Sequence, residues 1–126
     1  MSRFLIVDDS AIARKMIIAA LRPLNAEFDE AATGLEAIEK LAVKPYDLVT
    51  LDLNMPDMHG LEFLHFIRSH SRLNRLPVMV ITTRDDEAIE QTVLSDGANR
   101  FLRKPFTPQE ILESVEALLE RKQSQA

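Results

Sequence analysis

Cysteine is absent from the 126 residues, so neither a disulfide nor a zinc-thiolate site can be built. That absence suits a reducing compartment, and a cytoplasmic location is expected. No apolar stretch approaches the ~20 residues of a membrane span, and the N-terminus lacks the basic-then-apolar plan of a signal peptide. No membrane association is expected. Positive charge is also short: 15 Lys and Arg against 20 Asp and Glu leave a formal net charge of −5. A broad nucleic-acid surface needs clustered cations, so direct DNA binding is not expected. Only three glycines occur. The turn after the first apolar run reads Asp8-Asp9-Ser10 where a dinucleotide site needs G-x-G-x-x-G, which weighs against NAD or flavin. There is no internal repeat, low-complexity segment or linker, and the chain is long enough for one domain with a single sizeable core.

What is present is a regular alternation of strand-like and helix-like segments. Runs apolar on consecutive residues occur at 4–7, 48–51 and 77–81, with weaker ones near 28–31 and 100–102. Such runs suit strands covered on both faces, as in a parallel sheet. Helical spacing fills the intervals; in the last, Ile111, Leu112, Val115, Leu118 and Leu119 form one apolar stripe. Thr107-Pro108-Gln109-Glu110 offers a capping box with proline at the first helical position, and Thr33-Gly34-Leu35-Glu36 offers another. Pro23 should stop the first helix, and Gly97 should end the fourth in a left-handed conformation. Residues 120–125 read as a solvated helix end that frays. Five βα units joined by right-handed crossovers predict an α/β fold, a doubly wound five-stranded parallel sheet with helices on both faces. Ligands of such sheets bind beyond the carboxyl ends of the strands, where strand order reverses.

Three acids fall at that edge. Asp8 and Asp9 end the run Phe4-Leu5-Ile6-Val7, and Asp52 ends Leu48-Val49-Thr50-Leu51. Carboxylates brought together out of water repel one another and lose hydration, which costs several kcal/mol unless a cation compensates. A fold that keeps three together is expected to hold a metal ion, a phosphoryl group, or both. Hard carboxylate oxygens suit Mg²⁺. Thr82 ends the fourth run and Lys104 follows the fifth, giving a hydroxyl and an ammonium for the oxygens of a phosphoryl group. An aspartate can itself be the nucleophile, giving an aspartyl phosphate, and phosphoryl transfer needs little beyond positioning and charge neutralisation. Asp57 reads as an ordinary turn acid. His59, His65 and His70 have no i, i+4 pairing and read as surface or helix-end residues.

Val7-Asp8-Asp9-Ser10, Leu51-Asp52-Leu53-Asn54-Met55-Pro56, Gly60, Ile81-Thr82-Thr83 and Lys104-Pro105-Phe106 together resemble the receiver domain of two-component response regulators. The resemblance spans essentially the whole chain, which is similar to a stand-alone, CheY-like regulator: residues 1–126 would be a single receiver domain with no output domain. It implies a flavodoxin-like (βα)5 sheet of order 2-1-3-4-5. It implies phosphorylation of Asp52 by a histidine kinase or histidine phosphotransfer protein, with catalysis confined to the chain's own phosphoryl transfer and autodephosphorylation. Asp9, Asp52 and the backbone carbonyl of Asn54 would ligate Mg²⁺, Asp8 acting through a metal-bound water. Lys104 would pair with the phosphoryl oxygens or the acidic pocket, its peptide to Pro105 would be cis, and Thr82 and Phe101 would switch together. The downstream protein target would dock on the face of helix 4, strand 5 and helix 5, including Ala88, Ile89 and Phe101.

The chain also departs from the family pattern. Thr83 stands where a smaller residue is usual and would narrow access to Asp52. Phe101 replaces the tyrosine of chemotaxis regulators, so no hydroxyl is available to a partner. Arg84 is expected to cover part of the phosphoryl group and prolong the phosphorylated state. The opening Asp8-Asp9-Ser10-Ala11-Ile12-Ala13-Arg14 leans towards the chemotaxis group. Alternatives are a phosphorelay intermediate passing the group to a histidine phosphotransfer protein, an aspartate-nucleophile phosphatase, or an adaptor that is never phosphorylated.

Overall fold

The computed structural model describes residues 1–84 and 87–124, with side chains to Glu120. The segment expected to fray is helical to Ser124, and its side chains beyond Glu120, with residues 125–126, lie outside the described residues. In chain order the elements are β1 (Arg3–Val7), α1 (Ala11–Leu21), a short 3-10 turn (Arg22–Leu24), β2 (Glu27–Ala31), α2 (Gly34–Val43), β3 (Leu48–Leu51), α3 (Gly60–Ser69), β4 (Val78–Thr82), α4 (Glu87–Ser95), β5 (Arg100–Arg103) and α5 (Pro108–Ser124). All pairings are parallel and the strand order is β2-β1-β3-β4-β5. This is the doubly wound, flavodoxin-like arrangement expected from the sequence.

Helix boundaries follow local chemistry. The Ser10 hydroxyl accepts the Ala13 N–H at 3.2 Å and starts α1. Pro23 lies in the 3-10 turn that follows α1, and Asn25 leaves that turn with a left-handed φ of 53°. Thr107 and Glu110 complete a reciprocal capping box, 3.1 Å from the Glu110 N–H to the hydroxyl and 3.0 Å from the Thr107 N–H to the carboxylate. Gly97 closes α4 at φ +114°, with Gly97 N–H donating to Leu94 at 3.3 Å and Ala98 N–H to Val93 at 2.9 Å. That is a Schellman end, and its positive φ favours glycine. β4 begins at Val78, not Pro77, because proline lacks the N–H a ladder position needs. The Pro77 carbonyl still accepts from Val49 at 2.9 Å.

Strand alternation divides the core into two layers. Leu5, Val7, Val49, Leu51, Val78 and Val80 pack with Ala37, Leu41, Phe63, Ile67 and Val93 beneath α2, α3 and α4. Phe4, Ile6, Leu48, Met79 and Ile81 pack with Ile17, Leu21, Ile111 and Val115 beneath α1 and α5. Each such side chain larger than alanine gains about 1.5–3 kcal/mol from burial. Because both faces are covered, residues 4–7 and 78–81 are apolar throughout, and β3 is broken only by the buried Thr50. Among the described residues no helix is long and apolar enough to cross a membrane.

Candidate functional site

The ladder continues one residue beyond β1, β3 and β5, and those residues carry most of the polar cluster. Asp8 N–H donates to Ala31 at 3.0 Å, Asp52 N–H to Val7 at 3.0 Å, and Lys104 N–H to Thr82 at 2.8 Å. Main-chain bonds to the neighbouring strand therefore fix where the Asp8, Asp52 and Lys104 side chains leave the sheet. Asp8 is 1% exposed, Asp52 6% and Thr82 0%, while Asp9 is exposed at the rim. One carboxylate oxygen from each of Asp8, Asp9 and Asp52 lies within 4.8 Å of the others.

Lys104 lies against two of the acids. Its Nζ is 2.7 Å from Asp8 Oδ2 and 3.5 Å from Asp52 Oδ2, and its peptide to Pro105 is cis. The second oxygens are also engaged: Asp8 Oδ1 accepts the Ser10 N–H at 2.9 Å, and Asp52 Oδ1 accepts the Asn54 N–H at 3.2 Å. Burial pushes the Asp52 carboxyl above its ordinary range, with Asp8 adding to the effect; Lys104 and the Asn54 N–H oppose it without cancelling it. Burial alone would lower the Lys104 ammonium, but the hydrogen bond to Asp8 and the charges of both acids raise it. An all-oxygen set with an excess of negative charge suits a hard divalent cation such as Mg²⁺.

At the far side, the Thr82 hydroxyl accepts the Arg84 N–H at 3.3 Å, and Thr83 and Arg84 are exposed. Phe101 is half-buried against the α2–α4 core. The Arg103 guanidinium lies 5.3 Å from its ring centroid and reaches Glu90 on α4 at 3.1 Å. Asn54 is exposed at the start of the β3–α3 loop. That loop closes at Gly60, whose N–H donates to Leu53 at 2.9 Å; a Cβ there would stand 2.6 Å from Leu53 Cα. Four strand ends thus deliver to one rim residues as far apart in sequence as Asp8 and Lys104, separated by 96 positions.

A family model described as the response regulator receiver domain matches residues 4–116. The chain belongs to that family. It is 40% identical over 119 residues to chemotaxis protein CheY1 of Helicobacter pylori, covering 93% of this chain and 96% of that protein. It is 37% identical over 120 residues to the CheY homolog of Campylobacter jejuni, covering 93% and 92%. The solved structure of CheY4 of Vibrio cholerae matches with a TM-score of 0.86 at 33% identity, over 93% of this chain and 98% of that one. Transcriptional regulatory protein ResD of Bacillus subtilis is 36% identical over 120 residues, but the match spans 49% of its length.

Some contacts of this receiver domain were not anticipated. Asp57 is more than a turn acid: its two oxygens accept the N–H groups of Gly34 and Leu35, each at 2.9 Å, at the start of α2. Those two bonds hold its carboxyl below the usual range. The histidines sit as expected. His59 caps α3 by accepting the Leu61 N–H, His70 ends that helix, and His65 pairs with Asp96 at 3.0 Å. Arg14, the last residue of the chemotaxis-like opening, has a contact that motif does not suggest: its Nη1 donates to the Asp8 carbonyl at 2.6 Å and its Nε to Glu30 at 2.9 Å. A signal existed: a cation one turn into a helix opposes the helix dipole, so it needs another partner.

Proposed function

We propose that the chain is a phosphorylation-activated signalling switch of a two-component system, with Asp52 as the phosphoacceptor and Mg²⁺ as the required cofactor. The observation that carries this reading is the crowding of Asp8, Asp9 and Asp52 at one rim with Lys104 reaching two of them. Asp8, Asp9, Asp52 and the Asn54 carbonyl would hold the cation, which supplies charge neutralisation while phosphoryl oxygens enter an acidic pocket.

The remaining chemistry belongs to the side chains. An Asp52 oxygen attacks phosphorus, forming a P–O bond as the P–N bond of a phosphohistidine donor breaks and the imidazole leaves. Partial burial strips water from that oxygen, and no general base is needed because a carboxylate nucleophile has no proton to give up as the new bond forms. Lys104, within reach of Asp52, moves from the acids to a phosphoryl oxygen. Thr82 donates its hydroxyl to another, giving up the Arg84 N–H it now accepts, and Phe101 follows into the space behind it. The α4–β5–α5 face thereby changes shape for a downstream protein.

The histidine kinase or phosphotransfer protein that acts as donor remains the expected partner, and the chemotaxis-named relatives that match along nearly their whole length favour a chemotaxis-type output. The test is incubation with Mg²⁺ and acetyl phosphate. One phosphoryl group should add to the wild type, none to Asp52→Asn, and none after chelation. Incorporation into Asp52→Asn at the wild-type level would overturn the assignment, and sustained multiple turnover on small phosphate esters would favour a phosphatase.

A further inference from the structure

Asp9 is the exposed acid of the trio, and among the described residues no hydrogen bond or ion pair is found at its carboxylate. Its aim therefore comes from the main chain of residues 8–10. On its far side Ser10 caps α1, its hydroxyl accepting the Ala13 N–H at 3.2 Å and its carbonyl the Arg14 N–H at 3.0 Å; on its near side three bonds act at Asp8. Asp8 N–H reaches Ala31 at 3.0 Å, which fixes the strand end. Ser10 N–H reaches Asp8 Oδ1 at 2.9 Å, which orients Asp8's own side chain. The third, from Arg14 Nη1 to the Asp8 carbonyl at 2.6 Å, grips the Asp8–Asp9 peptide itself. Because a peptide unit is planar, fixing its carbonyl fixes the direction in which the chain enters Asp9.

Arg14 is in turn anchored from the neighbouring strand. Its Nε donates to Glu30 Oε1 at 2.9 Å, and Glu30's main-chain carbonyl receives Lys40 from α2. Two nitrogens of one rigid guanidinium are thus committed to two acceptors at fixed geometry, which lysine could not reproduce. The Glu30 side chain is 45% exposed, and an ion pair at such a site contributes only about 0–1 kcal/mol. Stability does not account for the arrangement, whereas aiming a metal ligand does.

We propose that Arg14, tethered by Glu30, is a positioning residue for the divalent-cation site: it touches neither metal nor phosphoryl group but holds the Asp8–Asp9 peptide so that Asp9 faces Asp52. This rests on the proposed Mg²⁺-dependent reading. Partners behind the ligands of a metal site typically govern 10–100-fold in affinity.

Calorimetric titration with Mg²⁺ tests it on wild type, Arg14→Ala, Arg14→Lys and Glu30→Gln, beside amide hydrogen exchange on the metal-free proteins. Arg14→Ala should weaken Mg²⁺ binding about tenfold and speed exchange at Asp9 and Ser10. At saturating Mg²⁺ its phosphorylation by acetyl phosphate should return to within about twofold of wild type. Arg14→Lys should recover only part of the affinity, and Glu30→Gln, which keeps an acceptor for Nε, should lose little. Equal affinity in wild type and Arg14→Ala overturns this inference alone. So does slow phosphorylation at saturating Mg²⁺ with affinity unchanged, since the guanidinium would then act on the phosphoryl group. A wild type without Mg²⁺ affinity overturns the proposed function and this inference with it.

Discussion

Lys104 is bonded to Asp8, not centred on the acid pair: its Nζ stands 2.7 Å from Asp8 Oδ2 but 3.5 Å from Asp52 Oδ2. The proposed nucleophile is thus the less neutralised of the two buried acids. Its carboxyl sits above the ordinary range because burial outweighs what the ammonium returns.

Asp52→Asn should therefore stabilise the metal-free protein near neutral pH. The folded Asp52 binds its proton more tightly than the unfolded chain does, so between the ordinary value of 3.8 and the raised one stability falls as pH rises. At pH 7 the ionised acid costs the fold, and the amide removes that cost. A higher melting temperature than wild type is expected in chelator. Mg²⁺ at about ten times its Kd should add about 1.4 kcal/mol to the wild type and distinctly less to the variant. Differential scanning calorimetry with and without Mg²⁺ reads both, and a variant that melts below wild type in chelator contradicts the prediction.

Lys104→Met should act in the opposite direction. Removing the ammonium leaves Asp8 and Asp52 buried without it, which costs about 2–3 kcal/mol in the absence of metal. A raised lysine contributes stability in full below its ordinary value of 10.5 and loses that contribution as pH climbs through the raised folded value. The stability gap between wild type and variant should hold from neutral pH to pH 9 and narrow above 10.5. Urea unfolding across this range is the measurement, and a gap that persists unchanged at the alkaline end would contradict it.

Arg68 is a purely structural prediction at the opposite edge of the sheet. Burial lowers its guanidinium, yet it donates to Gly97 and Leu76 carbonyls at 2.8 Å each and to Asn99 Oδ1 at 2.9 Å. Arg68→Ala strips three acceptors of a donor at once and should destabilise by about 2–4 kcal/mol. Arg68→Lys should recover less than half of this, since an ammonium cannot reach three points in one plane. Denaturant midpoints decide it, and acetyl phosphate labelling of the folded fraction should stay at the wild-type level.

Arg84 follows Thr82 by two residues and is exposed beside the rim. If its side chain shields the phosphoryl group from water, Arg84→Ala should speed loss of phosphate from Asp52 about fivefold, roughly 1 kcal/mol of barrier. Decay of labelled protein after donor removal measures this, and an unchanged half-life ends the idea.

Much of the architecture is legible along the chain because its cues are local. Runs apolar on nearly every residue announce strands covered on both faces, capping boxes at Thr33 and Thr107 announce helix starts, and Gly97 announces a helix end. Boundaries shifted by about one residue where polar Arg3, Glu27, Thr82 and Arg103 join the strands, and where Pro77, which lacks a donor, drops out. Acids at the ends of two such runs announced the rim, since strand polarity alone puts them on one edge.

The order and chemistry of the sequence determined, by themselves, that Asp8, Asp9, Asp52, Thr82 and Lys104 would share the carboxyl edge of a parallel sheet. Which of them touch was decided by the tertiary structure. Lys104 and Asp8 are 96 positions apart and Asp57 and Gly34 are 23 apart, so their pairing depends on how crossovers stack strands and helices. The grip of Arg14 on a main-chain carbonyl is hidden for a related reason: every residue offers that acceptor, and only folding selects one. Periodicity and capping act within a few residues and can be read there, whereas hydrogen bonds and ion pairs between distant segments exist only after the chain has closed.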